Sequence, residues 1–220
     1  MNIQAVIFDM DGLIVDSEPY WRVAETEVFG ALSQAPDEEE FEQMMGNRIQ
    51  EVIESWYMRH PWENASFTEV RERIVNRVAD LVIEKAGLKP GFIDTLDFFK
   101  QKNIPVALAS SSPMLLIERL MKHYNVDQRF NLLCSAEHEA YGKPHPAVFL
   151  TTAEKLNVYP EKCLVFEDSF NGVLAAKAAR MKCVAVPAAE HFHQQRFCIA
   201  DAKLASLTEF NEEVWNRLNH

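Results

Sequence analysis

The chain has 220 residues, 48% hydrophobic and 25% charged, which excludes disordered and fibrous classes and leaves room for one domain or a core carrying an insert. Its formal charge of −11 and the lack of any Lys/Arg run exclude a basic nucleic-acid face. No apolar run approaches the ~20 residues that span a bilayer, no signal-peptide layout opens the chain, and the four cysteines form no Cys-x-x-Cys pair. A cytoplasmic protein with buried, reduced thiols and neither nucleic-acid nor membrane partners is expected.

In chain order, the first element is a strand pattern from Ile3 to Phe8. The next 70 or so residues hold no convincing strand. Ile49, Val52, Ile53 and Trp56 recur at helical spacing, as do Val70, Ile74, Val78 and Leu81. Pro36, the Gly46-Asn47 pair and the His60-Pro61 step break this texture, which predicts four helices. Hinges are expected near Val15–Ser17 and Gly87–Gly91. From about residue 92 onward, strand candidates 105–109, 131–134, 163–166 and 183–187 alternate with amphipathic segments 114–124, 147–156 and 172–180. Continuously apolar strands in such alternation predict an α/β fold, a Rossmann-like three-layer core with a parallel sheet. The expected division is a core of residues 1–16 and 88–220 and a small all-α cap of residues 17–87, inserted after the first strand.

Chemistry-bearing residues fall at the ends of the apolar strands. Ile7-Phe8-Asp9-Met10-Asp11-Gly12 carries two acids where a parallel strand opens into the crevice in which α/β folds place ligands. Two carboxylates there require a cation or a shared proton; capping a turn is the structural alternative. The strand 106–109 runs into Ser110-Ser111-Ser112-Pro113, read either as a phosphate cradle or as a plain helix start with Ser112 as N-cap and Pro113 in the first helical position. Gly142-Lys143-Pro144-His145-Pro146 holds one lysine between two prolines, either a cation aimed at a set point or a rigid surface turn. The strand 163–166 ends in Glu167-Asp168-Ser169. Because strand side chains alternate, only one of these acids is expected to face a given site, with Asp168 as the metal ligand and Glu167 orienting a metal-bound water.

Together and in this order, these four motifs resemble the haloacid dehalogenase-like superfamily of phosphohydrolases over essentially the whole chain. The position of the insert resembles the β-phosphoglucomutase-like branch, and particularly its sugar-phosphate and hexitol-phosphate phosphatases. The resemblance implies that Asp9 attacks phosphorus and that Asp11 protonates the leaving alkoxide and later takes a proton from water, in keeping with carboxylate nucleophiles and acid/base pairs generally. It implies Mg²⁺ held by Asp9, Asp168 and the Asp11 backbone carbonyl, an all-oxygen set suited to a hard ion. Ser110, Ser111 and Lys143 would hold the phosphate oxygens. A sugar or polyol phosphate is the implied substrate, handled by a monomer.

Cap specificity is expected from Glu18, Trp21, Asn47 and Arg48, each of which also admits a structural role. The aromatic run 56–62 reads as cap core, and His191 and His193 as part of a solvated loop. The nearest rival is a phosphosugar mutase, which would carry histidine where Trp21 stands. Asp11 argues against a dehalogenase, and the absence of lysine from residues 17–84 against a phosphonatase. A signalling receiver lacks the insert, and a phosphate-metabolite binding protein would not need all four motifs intact.

Overall fold

Ala5–Phe8 (β1) is apolar at every position, and each of its side chains is fully buried, as a strand covered on both faces demands. Strands Val106–Ser110 (β2) and Leu132–Ser135 (β3) lie on one side of it; Cys163–Glu167 (β4), Lys182–Ala185 (β5) and Ala202–Lys203 (β6) lie on the other. The order is β3-β2-β1-β4-β5-β6, and every pairing is parallel. The chain therefore winds outward in opposite directions from β1 and β4, which opens a crevice beyond their carboxyl ends. This computed structural model describes residues 2–44 and 47–219. Gly46, half of an expected helix break, lies outside them.

Side-chain alternation builds two different faces. Phe8 stacks on Phe166 at 4.7 Å and meets Phe92 and Phe99 edge-on, forming an aromatic layer. The opposite face carries Ala5, Ala107, Ala109, Cys163 and Cys183, small enough for Ala147–Lys155 (α7) and Phe170–Ala178 (α8) to approach closely. Three of the four cysteines are thus small buried apolar groups, while Cys198 is exposed.

Four helices separate β1 from Phe92–Gln101 (α5): Glu18–Leu32 (α1), Glu38–Met44 (α2), Ile49–Arg59 (α3) and Phe67–Lys85 (α4). The last begins with a capping box between Ser66 and Glu69. Trp56, Trp62, Phe29, Tyr57 and Phe67 pack together as the interior of this insert, as expected for the aromatic run. The two connecting segments lie side by side: Val15 bridges Leu88, and the Lys89 N–H donates to the Ile14 carbonyl at 2.8 Å.

The structure adds elements to the expected set: α5, the short edge strand β6 and Glu212–Asn219 (α9). β6 has two residues and α9 little more than two turns, too short for a period to register. Met114–His123 (α6) starts one residue later than the Ser112-Pro113 pattern predicts, with Pro113 preceding it. No helix among the described residues is long and apolar enough to cross a membrane.

Candidate active site

The strand tips converge as their spacing implies. Asp9 follows β1 directly, its backbone N–H donating to the Phe166 carbonyl of β4 at 3.0 Å. The Lys143 ammonium reaches in from the loop after β3 and donates to Asp9 Oδ1 and Glu167 Oε1, each at 2.6 Å, and to the Ala109 carbonyl at 3.3 Å. It also lies 4.8 Å from the Phe149 ring centre. Glu167 turns its other oxygen to the Ser169 N–H and hydroxyl, both at 3.0 Å. Two glycines make this packing possible. A Cβ on Gly12, which has φ +74°, would stand 2.0 Å from Asp168 Oδ2, and one on Gly172 would stand 1.7 Å from Glu167 Oε1.

Asp11 faces a different set of partners. Its Oδ1 accepts from the Ser17 hydroxyl at 2.6 Å and the Trp21 indole N–H at 3.2 Å. Its Oδ2 accepts from the Ser112 hydroxyl at 2.7 Å and the Ser110 hydroxyl at 3.1 Å. Two acids one residue apart are thus sorted physically: Asp9 meets an ammonium, and Asp11 meets only neutral donors.

The expectation that only one of Glu167 and Asp168 faces the site does not hold. Asp9, Glu167 and Asp168 can each bring one carboxylate oxygen within 4.8 Å of the others. β4 ends at Glu167, so the strand alternation no longer applies at Asp168. Three carboxylates against one ammonium leave an excess of about two negative charges. Burial pushes Asp9 well above the ordinary carboxylate range, with Glu167 and Asp11 adding repulsion and Lys143 opposing. Burial, then Glu167 and Asp9, do the same to Asp168, which accepts no hydrogen bond among the described residues. Burial works against the Lys143 charge, but Asp9 and Glu167 outweigh it and hold the ammonium protonated. The cluster as a whole favours added positive charge. Its all-oxygen donor set fits a hard divalent cation.

Other sequence-predicted residues divide into two groups. Glu18, Trp21, Asn47, Ser110, Ser111 and Lys143 all line a cavity of about 800 Å³ between the insert and the strand tips. Burial, reinforced by Asp11 and Asp16 against Arg22, pushes the Glu18 carboxyl up to about 7. Arg48 does not line this cavity. Its guanidinium donates to the carbonyls of Ala136 at 3.3 Å and Glu139 at 2.7 Å and to Glu51 at 2.9 Å, joining the insert to the loop before Lys143. His191 lines the cavity mouth and His193 is exposed, in a loop rather than as a metal pair.

Sequence reasoning missed Ser17 and treated Ser112 only as a cap. Each stands next to a helix start, yet neither hydroxyl caps its helix. Pro19 removes one donor that a Ser17 cap could accept from, and Ser112 lies one residue before the α6 N-cap, Pro113; both hydroxyls donate to Asp11. The Met114 N–H of α6 is met instead by Glu137 at 2.8 Å.

Comparison with known proteins identifies the family. Residues 3–180 match the haloacid dehalogenase-like hydrolase family. The chain is 44% identical over 209 residues to hexitol phosphatase B of Escherichia coli (strain K12), covering 94% of each chain. It is 32% identical to the phosphorylated carbohydrates phosphatase of Thermotoga maritima, over 80% of this chain and 82% of that one. The crystal structure of CbbY from Rhodobacter sphaeroides in complex with phosphate superposes with a TM-score of 0.85 at 27% identity, covering 94% of this chain and 96% of that one. A match across most of the sequence, on a fold whose strand tips gather the expected acids, places this chain in the family of haloacid dehalogenase-like hydrolases.

Proposed function

We propose that this chain is a Mg²⁺-dependent phosphatase of small sugar or polyol phosphates, acting through an aspartyl-phosphate on Asp9 beneath a helical cap formed by residues 17–87. The observation that carries the reading is the separation of the two acids. Asp9 is held by Lys143 beside Glu167 and Asp168, while Asp11 is cradled by three hydroxyls and an indole. The nucleophile and the acid/base group are thereby given different surroundings.

The Asp9 carboxylate attacks phosphorus, and the bond to the leaving oxygen breaks as Asp11 supplies that oxygen with a proton. Water then attacks the aspartyl-phosphate, Asp11 takes its proton, and inorganic phosphate leaves with Asp9 restored. Lys143 keeps Asp9 in place and opposes the charge of the transferring oxygens, with the Ser111 backbone, and Ser110 once its hydroxyl turns from Asp11, as further donors. Asp9, Asp168 and the Asp11 backbone carbonyl are the residues that would hold Mg²⁺, which when bound supplies positive charge against the phosphoryl oxygens. Glu167 acts by fixing Lys143. The names of the relatives, a hexitol phosphatase and a carbohydrate phosphatase, support hexitol or hexose phosphates as the substrate class. Trp21 speaks against the mutase alternative: an indole N–H only donates, so this position cannot relay a proton to Asp11 as an imidazole could. The buried thiols support a reducing, cytoplasmic setting.

The test is phosphate release from a panel of hexitol, hexose, pentose and glycerol phosphates with Mg²⁺ and with chelator. Asp9→Asn is expected to abolish turnover while keeping the fold. Failure of the wild type to release phosphate from any ester, or wild-type rates in Asp9→Asn, would overturn the proposal.

A further inference from the structure

The insert wall holds a buried acid that phosphoryl transfer does not use. Glu25 lies on α1 seven residues after Glu18, about 10 Å further along the helix axis. Glu18, Trp21, Arg22 and Glu25 repeat at i, i+3, i+4 and i+7, and all four line the cavity. Glu25 is 7% exposed, yet it makes no hydrogen bond or ion pair among the described residues. The same cavity is also lined by the apolar insert residues Phe41, Met44, Ile49 and Val52. The neighbouring Arg22 is committed elsewhere, to Glu38 and over the Phe41 ring at 5.4 Å. Glu18 stands at the end of the cavity nearer Asp11 and Asp168, and its charge is felt by the latter. Glu25 therefore faces the end of the cavity remote from the reacting phosphorus.

Resting on the phosphatase reading above, we infer that Glu25 is a specificity-determining residue: it hydrogen-bonds the distal hydroxyls of an extended, uncharged, polyhydroxylated leaving group. The Glu25 oxygens have no protein partner among the described residues and are not fully enclosed, so they open onto the cavity, where a substrate hydroxyl at that height supplies the partner. Burial, with Glu18 adding to it and Arg22 opposing, pushes the Glu25 carboxyl up to about 8, so near neutrality it offers both a donor and an acceptor, as a chain of hydroxyls requires. On α1 a second phosphate or carboxylate would meet Glu18, Glu25 and one arginine, Arg22, already paired with Glu38; the other cations lining the cavity, Lys89 and Arg196, lie outside the insert. A three-carbon leaving group would be too short to reach Glu25.

The experiment compares kcat/KM of the wild type, Glu25→Gln and Glu25→Leu on a six-carbon polyol monophosphate, glycerol 3-phosphate, a hexose bisphosphate and para-nitrophenyl phosphate with Mg²⁺. In Glu25→Leu the ratio of six-carbon to glycerol ester efficiency is expected to fall about 10- to 100-fold, chiefly through KM. Glu25→Gln, which keeps a donor and an acceptor, is expected to hold that ratio within about threefold. The wild type should favour the monophosphate over the bisphosphate by at least about tenfold. An unchanged ratio in Glu25→Leu, or comparable wild-type efficiency on the bisphosphate, would overturn the assignment of Glu25. Inactivity of the wild type on every ester, para-nitrophenyl phosphate included, would defeat the phosphatase reading itself.

Discussion

Replacing Lys143 with methionine keeps most of the side chain's length and removes only its charge and three donors. The ammonium is 4% exposed and bridges Asp9 and Glu167 at 2.6 Å each. Each such charge-assisted bond contributes about 1.5–3 kcal/mol, and stranding the buried carboxylates costs about 3–5 kcal/mol. For a chain of this size that corresponds to a melting point lower by roughly 6–20 °C at pH 8. The sign of the pH dependence follows from the carboxyls. Asp9 and Asp168 are already raised in the folded state, so their protonated forms are favoured there. The stability such groups contribute is fully present below the unfolded value, near 4, and is lost as pH rises through the folded value. The deficit of Lys143→Met is therefore smallest near pH 4–5 and largest near pH 8. Millimolar Mg²⁺ should narrow it at pH 8 by binding the folded state. Loss of a donor to the transferring group should lower kcat by about 10²–10³. Scanning calorimetry at pH 5 and 8, with and without Mg²⁺, combined with phosphate release at saturating substrate, reads all three effects. An equal melting-point loss at both pH values, or a kcat within tenfold of wild type, would refute the reasoning.

Glu25→Gln removes an acid held near 8 instead of its ordinary 4.5. Since that raised group costs the native state stability as pH climbs between those values, the variant should be more stable at pH 8, by on the order of a few kcal/mol in denaturant unfolding, and near wild type at pH 4.5. A constant offset across pH would contradict it. Gly172→Ala pushes a methyl group into Glu167 and should displace Lys143, cutting kcat about 10-fold or more; full activity would show that the carboxylate has slack. Asp11→Asn should slow formation and breakdown of the phospho-enzyme alike, about 10²-fold or more in rapid-quench experiments. A normal burst followed by normal decay would remove Asp11 from both steps.

The sheet and the site floor were legible in the sequence because each rests on a strong local pattern. Ala5–Phe8 has no polar position, and an acid pair immediately after such a strand has few structural excuses. The partners of Asp11 were less legible. Ser17 and Ser112 converge from segments 95 residues apart, and their role depends on what they do not cap. Arg48 was read as a substrate contact from its place in the insert, but its direction depends on the path of residues 136–140, which no periodicity encodes. Glu25 was overlooked because an acid on an amphipathic helix ordinarily faces solvent. Only the Glu18, Trp21, Arg22, Glu25 stripe, read beside the apolar wall, distinguishes it.

The Arg48 crossing has a mechanical consequence. A Cβ on Gly142 would stand 3.1 Å from the stem of Arg48, so the arginine lies flat along the strap that ends at Lys143. That strap is tethered at one end by a guanidinium from the insert and at the other by the carboxylates of the floor. The insert and the ammonium thus sit on one tether, so the charge over Asp9 is set in part by a residue of the insert.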